Sequence, residues 1–236
     1  MPLTLAHPAA ILPFSRKSKY INFIALVIGT MSPDFEYFLN GIPTGTMGHS
    51  ISNFFIFHLP LIAFFYLIYV TFMHRTVFAH LPEIIQVPLV EKKKQPIILS
   101  IIVFIYSAFI GMISHIVWDA FTHIHGFVVL RMPLLTETIF QLPIYKILQH
   151  GGTLVGLLFI LIYMMAEAKK NTNFSTVSAK EKLNFWLFVI GGAIILFITW
   201  FVLQPVALTA IGALVVRVID CGLVSLLLVS IFIKYK

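Results

Sequence analysis

From Pro96 to Trp118 the chain carries no carboxylate, ammonium or guanidinium group. A helix needs about 20 mostly apolar residues to cross a bilayer, and this stretch supplies them. Similar runs cover Ile51–Met73, Leu183–Leu203 and Val206–Ile233. A shorter run, Gly152–Ala166, can be extended through Ile147 and Leu148. Backbone groups inside lipid find no water, so unbroken apolar runs of this kind must bond internally as helices. Only 11% of the residues are charged, against roughly 25% in a soluble domain. The expectation is an all-α, polytopic membrane helix bundle with about five spanning helices.

Tyr20–Leu39 is different. Its apolar part, Ile21–Met31, is too short to span before Ser32-Pro33-Asp34. Proline lacks the backbone donor and disfavours helix at the residue before it. An N-terminal half-helix ending at Asp34 is expected. The organisation then reads as a membrane-embedded region over 1–166, a basic loop over 167–182 and a C-terminal hairpin over 183–236, turning at Gln204-Pro205.

The net charge of +7 is in this setting a topology signal. No basic stretch is interleaved with aromatics in a soluble-looking segment, so nucleic-acid binding is not expected. Lysine and arginine concentrate in the Arg75–Gln95 loop (Arg75, Lys92, Lys93, Lys94), the Glu167–Lys182 loop (Lys169, Lys170, Lys180, Lys182) and the tail (Lys234, Lys236). By the positive-inside rule these are cytoplasmic. His49, the stretch His115–His123 and His150 then share the outer face. The cluster Arg16-Lys17-Lys19 fits that scheme less easily. The N-terminus does not read as a secretory signal, because Pro2, Pro8 and Pro13 interrupt it. Cys221 is the single cysteine and cannot form an internal disulfide.

In so apolar a chain, polar residues at membrane depth need explaining. His115, Asp119 and His123 recur every four residues, which places them on one helix face. Two imidazoles and a carboxylate converging there form a donor set suited to zinc or a similar divalent ion. Asp34, after Ser32-Pro33, is a second candidate carboxylate. His49 opens the first full span. His58 is half a turn out of phase with it and is not expected to share its ligand. His7 taken alone is uninformative, and His125 and His150 read as loop residues. Arg217 and Asp220, three apart in the last run, suit a helix-face ion pair. Ser114 beside His115 faces away from it on a helix, which argues against a serine nucleophile.

In order, these residues read His7, Asp34, His49, His115-x-x-x-Asp119 and His123. That order resembles the ligand order of the membrane-bound metal-dependent hydrolases of bacteria. It is also similar to the first half of the ligand set in zinc-dependent phospholipase C. The opening Met1-Pro2-Leu3-Thr4-Leu5-Ala6-His7-Pro8 and the block Ser114-His115-Ile116-Val117-Trp118-Asp119-Ala120-Phe121-Thr122-His123 resemble an uncharacterised bacterial integral-membrane family within that group. The resemblance implies a bacterial plasma-membrane protein whose metal ligands are His7, Asp34, His49, His115, Asp119 and His123. Asp34 and Asp119 would be the catalytic carboxylates. The phospholipases carry a further His-x-x-x-Glu pair, and nothing acidic follows His150 at that spacing. One or two ions, zinc by preference, are therefore expected in place of three. The implied activity is metal-dependent hydrolysis of a lipid-borne or phosphate-ester substrate, with membrane lipids as the surroundings. A small transporter or channel using the same cluster, or a structural protein with an inert metal, are the alternatives. The gathering of polar groups at one end of two helices favours a site over a pathway.

Overall fold

The computed structural model describes residues 3–90 and 95–233. Met1, Pro2, Lys92, Lys93, Lys94, Lys234 and Lys236, used above for the opening motif and for topology, lie outside the described residues. The protein is an all-α membrane helix protein. A short 3-10 helix covers Thr4–Ile11, and α1 covers Phe23–Met31. After a 3-10 turn at Ser32–Asp34, α2 covers Phe35–Asn40. Five helices are long and apolar enough to span a membrane among the described residues: α3 (Ile51–His80), α4 (Ile97–Thr122), α5 (Ile144–Ala168), α6 (Ala179–Leu203) and α7 (Ile211–Phe232). The strands found among those residues are Thr138–Ile139 and Leu142–Pro143, a two-stranded hairpin turning through Phe140 and Gln141 at positive φ.

Several boundaries differ from the expectation, three of them in ways that matter for the structure. The half-helix does not stop at Asp34, since Pro33 sits at the start of a tight turn, where its missing donor costs nothing, and helix resumes at Phe35. The third span begins at Ile144, which puts His150 on a helix, not in a loop. The last span begins at Ile211, not Val206, because Arg217 anchors the connection between the last two spans. Its guanidinium donates to the carbonyls of Gln204 (2.5 Å) and Gly41 (3.4 Å) and stacks 4.9 Å from the Trp200 ring. The Arg217–Asp220 ion pair is therefore not formed: Arg217 is satisfied by carbonyls, and Asp220 Oδ2 has no hydrogen-bond partner among the described residues.

The chain divides into two compact units. One comprises Met1–Phe35, Thr46–Ala63 and Val90–Tyr163, and the other Glu36–Gly45, Phe64–Leu89 and Met164–Lys236. In the second unit, α6 starts with a capping box in which Ser178 and Glu181 satisfy each other's backbone donors. Gln86 knits two loops there. Its side chain donates to the carbonyls of Phe78 and Ala79 and accepts from Ser175 N, while Asn171 donates to its backbone carbonyl.

The first unit is organised by the crossing of α1 and α4. The buried face of α4 runs Val103, Ser107, Ala108, Gly111, Met112, His115, Asp119, Thr122, a helical spacing that is small in its middle. Gly29 and Gly111 let the backbones meet. A Cβ on Gly29 would stand 2.5 Å from the Ala108 carbonyl oxygen, and one on Gly111 would stand 2.2 Å from that of Leu26. Close approach through small residues is how helices associate where lipid supplies no hydrophobic drive. Asn22 fastens the start of α1: its N–H donates to Ser107 Oγ (3.0 Å) and its side chain accepts from Ala25 N. On α5, Gly152 lies under the Trp118 ring and Gly156 against Ala6 and Ala9, which seats the N-terminal 3-10 helix. Thr153 Oγ1 accepts from Leu3 N at 3.0 Å and pins it.

Gly111→Ala should destabilise the protein by about 2 kcal/mol or more, the usual scale of overpacking, read as a fall in thermal midpoint in detergent. Gly222→Ala, where a Cβ meets nothing within 4 Å, should leave the midpoint unchanged or slightly raised. Equal behaviour of the two variants would contradict the crossing.

Candidate metal centre

Four backbone segments of the first unit meet at its polar centre. The 3-10 helix brings His7, the Ser32–Asp34 turn brings Asp34, the segment before α3 brings His49, and the last turns of α4 bring His115 and Asp119. His7, Asp34, His115 and Asp119 are buried, while the His49 side chain is 36% exposed.

The α1–α4 crossing sets the state of His115. Its Nδ1 lies 2.7 Å from the Thr30 carbonyl oxygen. A carbonyl only accepts, so Nδ1 carries the proton and a neutral ring keeps its lone pair on Nε2. This is the outer-shell arrangement that orients metal-binding histidines. The Thr4 hydroxyl donates to Asp34 Oδ2 at 2.5 Å, which leaves Oδ1 turned toward the cluster. His7 stacks on His115 with centroids 3.7 Å apart and meets Trp118 edge-on.

Several donor-atom pairs lie at the spacing that ligands of a common cation would take. His49 Nε2 lies 3.2 Å from Asp119 Oδ2 and 3.8 Å from Asp34 Oδ1. His115 Nε2 lies 3.2 Å from Asp119 Oδ2 and 3.7 Å from Asp34 Oδ1. Bonds of about 2.0–2.1 Å to a tetrahedral zinc place neighbouring donor atoms roughly 3.3 Å apart. His7, Asp34 and His115 form one group able to hold a cation, and His49, His115 and Asp119 a second that shares His115.

Satisfaction of the buried atoms points the same way. His7 Nδ1 and Nε2, Asp34 Oδ1, His115 Nε2 and Asp119 Oδ1 are all buried without a hydrogen-bond partner among the described residues. An unsatisfied buried polar atom costs about 1–3 kcal/mol, so their concentration at one point fits a cation held there. Burial pushes the His7 imidazole well below the ordinary histidine range, reinforced by His115 beside it. His7 is thus neutral at pH 7, with a lone pair to offer. Burial pushes the Asp34 carboxyl up, the direction a neighbouring cation would oppose.

His123 does not belong to either group. The α4 helix ends at Thr122, and His123 is in extended conformation, which breaks the one-face stripe read from the sequence. Its Nδ1 sits 3.3 Å from the Asp119 carbonyl and 3.5 Å from Asp119 Oδ1, at the edge of the cluster. The cause is Gly126, where the chain folds back so tightly that a Cβ would meet the Ala120 carbonyl oxygen at 2.5 Å. His125 and His150 are exposed. Ser114 donates to the Gly111 carbonyl at 2.7 Å and takes no part.

Supporting residues were not visible in the sequence. Thr30 acts through its carbonyl, which every residue possesses. Thr4 had one faint signal, a hydroxyl three residues before His7 in an apolar opening. His58 is fully buried in a π-helical turn, with Nδ1 3.2 Å from Ser32 Oγ. Ser32 in turn donates to the Gly29 carbonyl at 2.9 Å. His58 therefore buttresses the turn that presents Asp34.

Fold and cluster together define a polytopic α-helical membrane protein with a buried histidine–aspartate centre. Residues 1–231 match the family described as Domain of unknown function (DUF4184), and the chain belongs to that family. Neither a curated protein nor a solved structure matches the chain.

Thr4→Val keeps the shape of the side chain and removes the donor to Asp34. It should weaken zinc binding by about 10–100-fold, the usual effect of losing an outer-shell partner, in a chelator-competition titration. Unchanged affinity would remove Asp34 from the centre.

Proposed function

We propose that the protein is a membrane-bound, divalent-metal-dependent hydrolase of a lipid-borne or phosphate-ester substrate, with zinc as the preferred ion. The observation that carries the reading is the spacing of four donor atoms, on His49, His115, Asp34 and Asp119, at 3.2–3.8 Å from one another in the four measured pairs. The mixed nitrogen and oxygen set suits zinc. His115 Nε2 has a single lone pair and belongs to both donor groups, which supports one ion per chain over two.

A divalent ion held there would supply Lewis acidity and would lower the pKa of a water bound to it toward 7. The chain's own groups do the rest. His115 and Asp34 are held rigid by Thr30 and Thr4. Asp119 Oδ1, 3.6 Å from His7 Nε2, is the carboxylate oxygen placed to take up a proton. His49, and His123 at the edge of the cluster, are partly exposed and mark the side from which substrate would arrive. The basic loops at the opposite span ends support an extracytoplasmic centre.

Elemental analysis of gently purified wild type should give close to one equivalent of zinc, manganese or iron. His115→Ala and Asp119→Ala should each hold less than about a tenth of that, and their headgroup release from phospholipid vesicles should fall at least about 100-fold. Wild type without stoichiometric metal would end the reading. A reporter fused after Lys94 should be cytoplasmic, and a periplasmic signal would invert the orientation.

A further inference from the structure

The connection from α4 to α5 is folded inside out. Val129, Leu135 and Tyr145 form a small core with Val128 and Ile144. A water-exposed loop with its own core would turn polar side chains outward. This one turns out Ile124, Phe127, Leu130, Leu134, Phe140 and Leu142, with Phe140 at the hairpin tip 95% exposed. Over 124–143 the only side chains with a fixed charge are Arg131 and Glu137. Arg131 spends its charge locally, stacked 3.6 Å from the Phe127 ring and donating to the Phe127 carbonyl.

Part of its backbone is paired internally. Gly126, Val128, Leu130, Arg131, Met132, Leu135, Glu137 and Ile144 all donate within the segment or to the end of α4. Such pairing suits low-dielectric surroundings. Both ends of the segment are tied to spans, at Thr122 and Ile144, so it lies at the membrane surface at that end. Large contiguous apolar exposure at such a place is covered by lipid.

The segment is fastened to the polar centre. Gly126 packs on the Asp119 and Ala120 carbonyls, and Val128 N donates to Ala120 O at 3.2 Å. The partly exposed histidines have exposed apolar residues close by in the chain: Ile51 two residues after His49, and Phe121 and Ile124 on either side of His123.

We infer that the segment 124–143 is an interfacial anchor seated in the lipid headgroup region, and that the centre opens sideways into that leaflet, so its substrate is an amphiphile that presents its headgroup from the bilayer. The substrate half of this inference rests on the proposed hydrolase reading; the seating of the segment does not.

Spin labels in vesicles of phosphatidylethanolamine and phosphatidylglycerol test it, with Cys221→Ser removing the native thiol. Labels go on Phe140→Cys at the tip, Ile51→Cys at the rim, and Thr172→Cys in an exposed loop as the aqueous reference. The ratio of oxygen to nickel-chelate accessibility should be at least about threefold higher at 140 and at 51 than at 172, because oxygen concentrates in lipid and the chelate in water. A ratio at 140 equal to the reference overturns the anchor. A reference-like ratio at 51 overturns sideways access. Metal content of the same labelled proteins reports separately on the centre, so a failed metal site and a failed anchor give different results.

Discussion

The hydrogen bond from His115 Nδ1 to the Thr30 carbonyl is the contact on which the arrangement depends. It exists because α1 and α4 cross with backbone against backbone at Gly29 and Gly111. With larger residues at either position the carbonyl could not reach the imidazole. The same crossing carries the Ser32–Asp34 turn, so one packing decision places a nitrogen donor, fixes its tautomer and delivers a carboxylate. A short α1 suits this role. It ends beside the last turns of α4, where a full span would have carried Asp34 past His115.

A protein that buries five partnerless polar atoms in one place gives up stability there. The cost is tolerable because the surroundings are over-determined. Thr4, Thr30, Ser32 and His58 each hold one component by a hydrogen bond, and Gly156 seats the N-terminal segment against α5. Preorganisation of this kind would let a cation bind without the chain having to reorganise. Of the two compact units, the first contains every member of the cluster. The second is built as a hydrogen-bonded loop assembly and a helical hairpin.

The spans were legible because lipid enforces a length and a composition that few other structures share. Their ends were less so. The start of α7 depends on where Arg217 finds carbonyls, and the start of α5 on a hairpin that the apolar count ignores. Within the centre, His115 and Asp119 showed themselves through helical spacing alone. Asp34 stood out as a carboxylate after a proline in an apolar stretch, but no local pattern links it with His7 and His49, which lie far apart in sequence. His123 was misplaced because a period of four holds only while the helix lasts, and Gly126 ends it early. Thr30 was unreadable in principle, since its contribution is a backbone atom.

We propose that the imidazoles of His49 and His115 and the carboxylates of Asp34 and Asp119 surround one ion. X-ray absorption at the zinc edge of the purified protein tests that directly. The expected result is a shell of nitrogen or oxygen neighbours at about 2.0 Å, water included, with the outer-shell scattering of two histidine rings from His49 and His115. An absorption spectrum with no imidazole scattering, or with a sulfur shell near 2.3 Å, would contradict it.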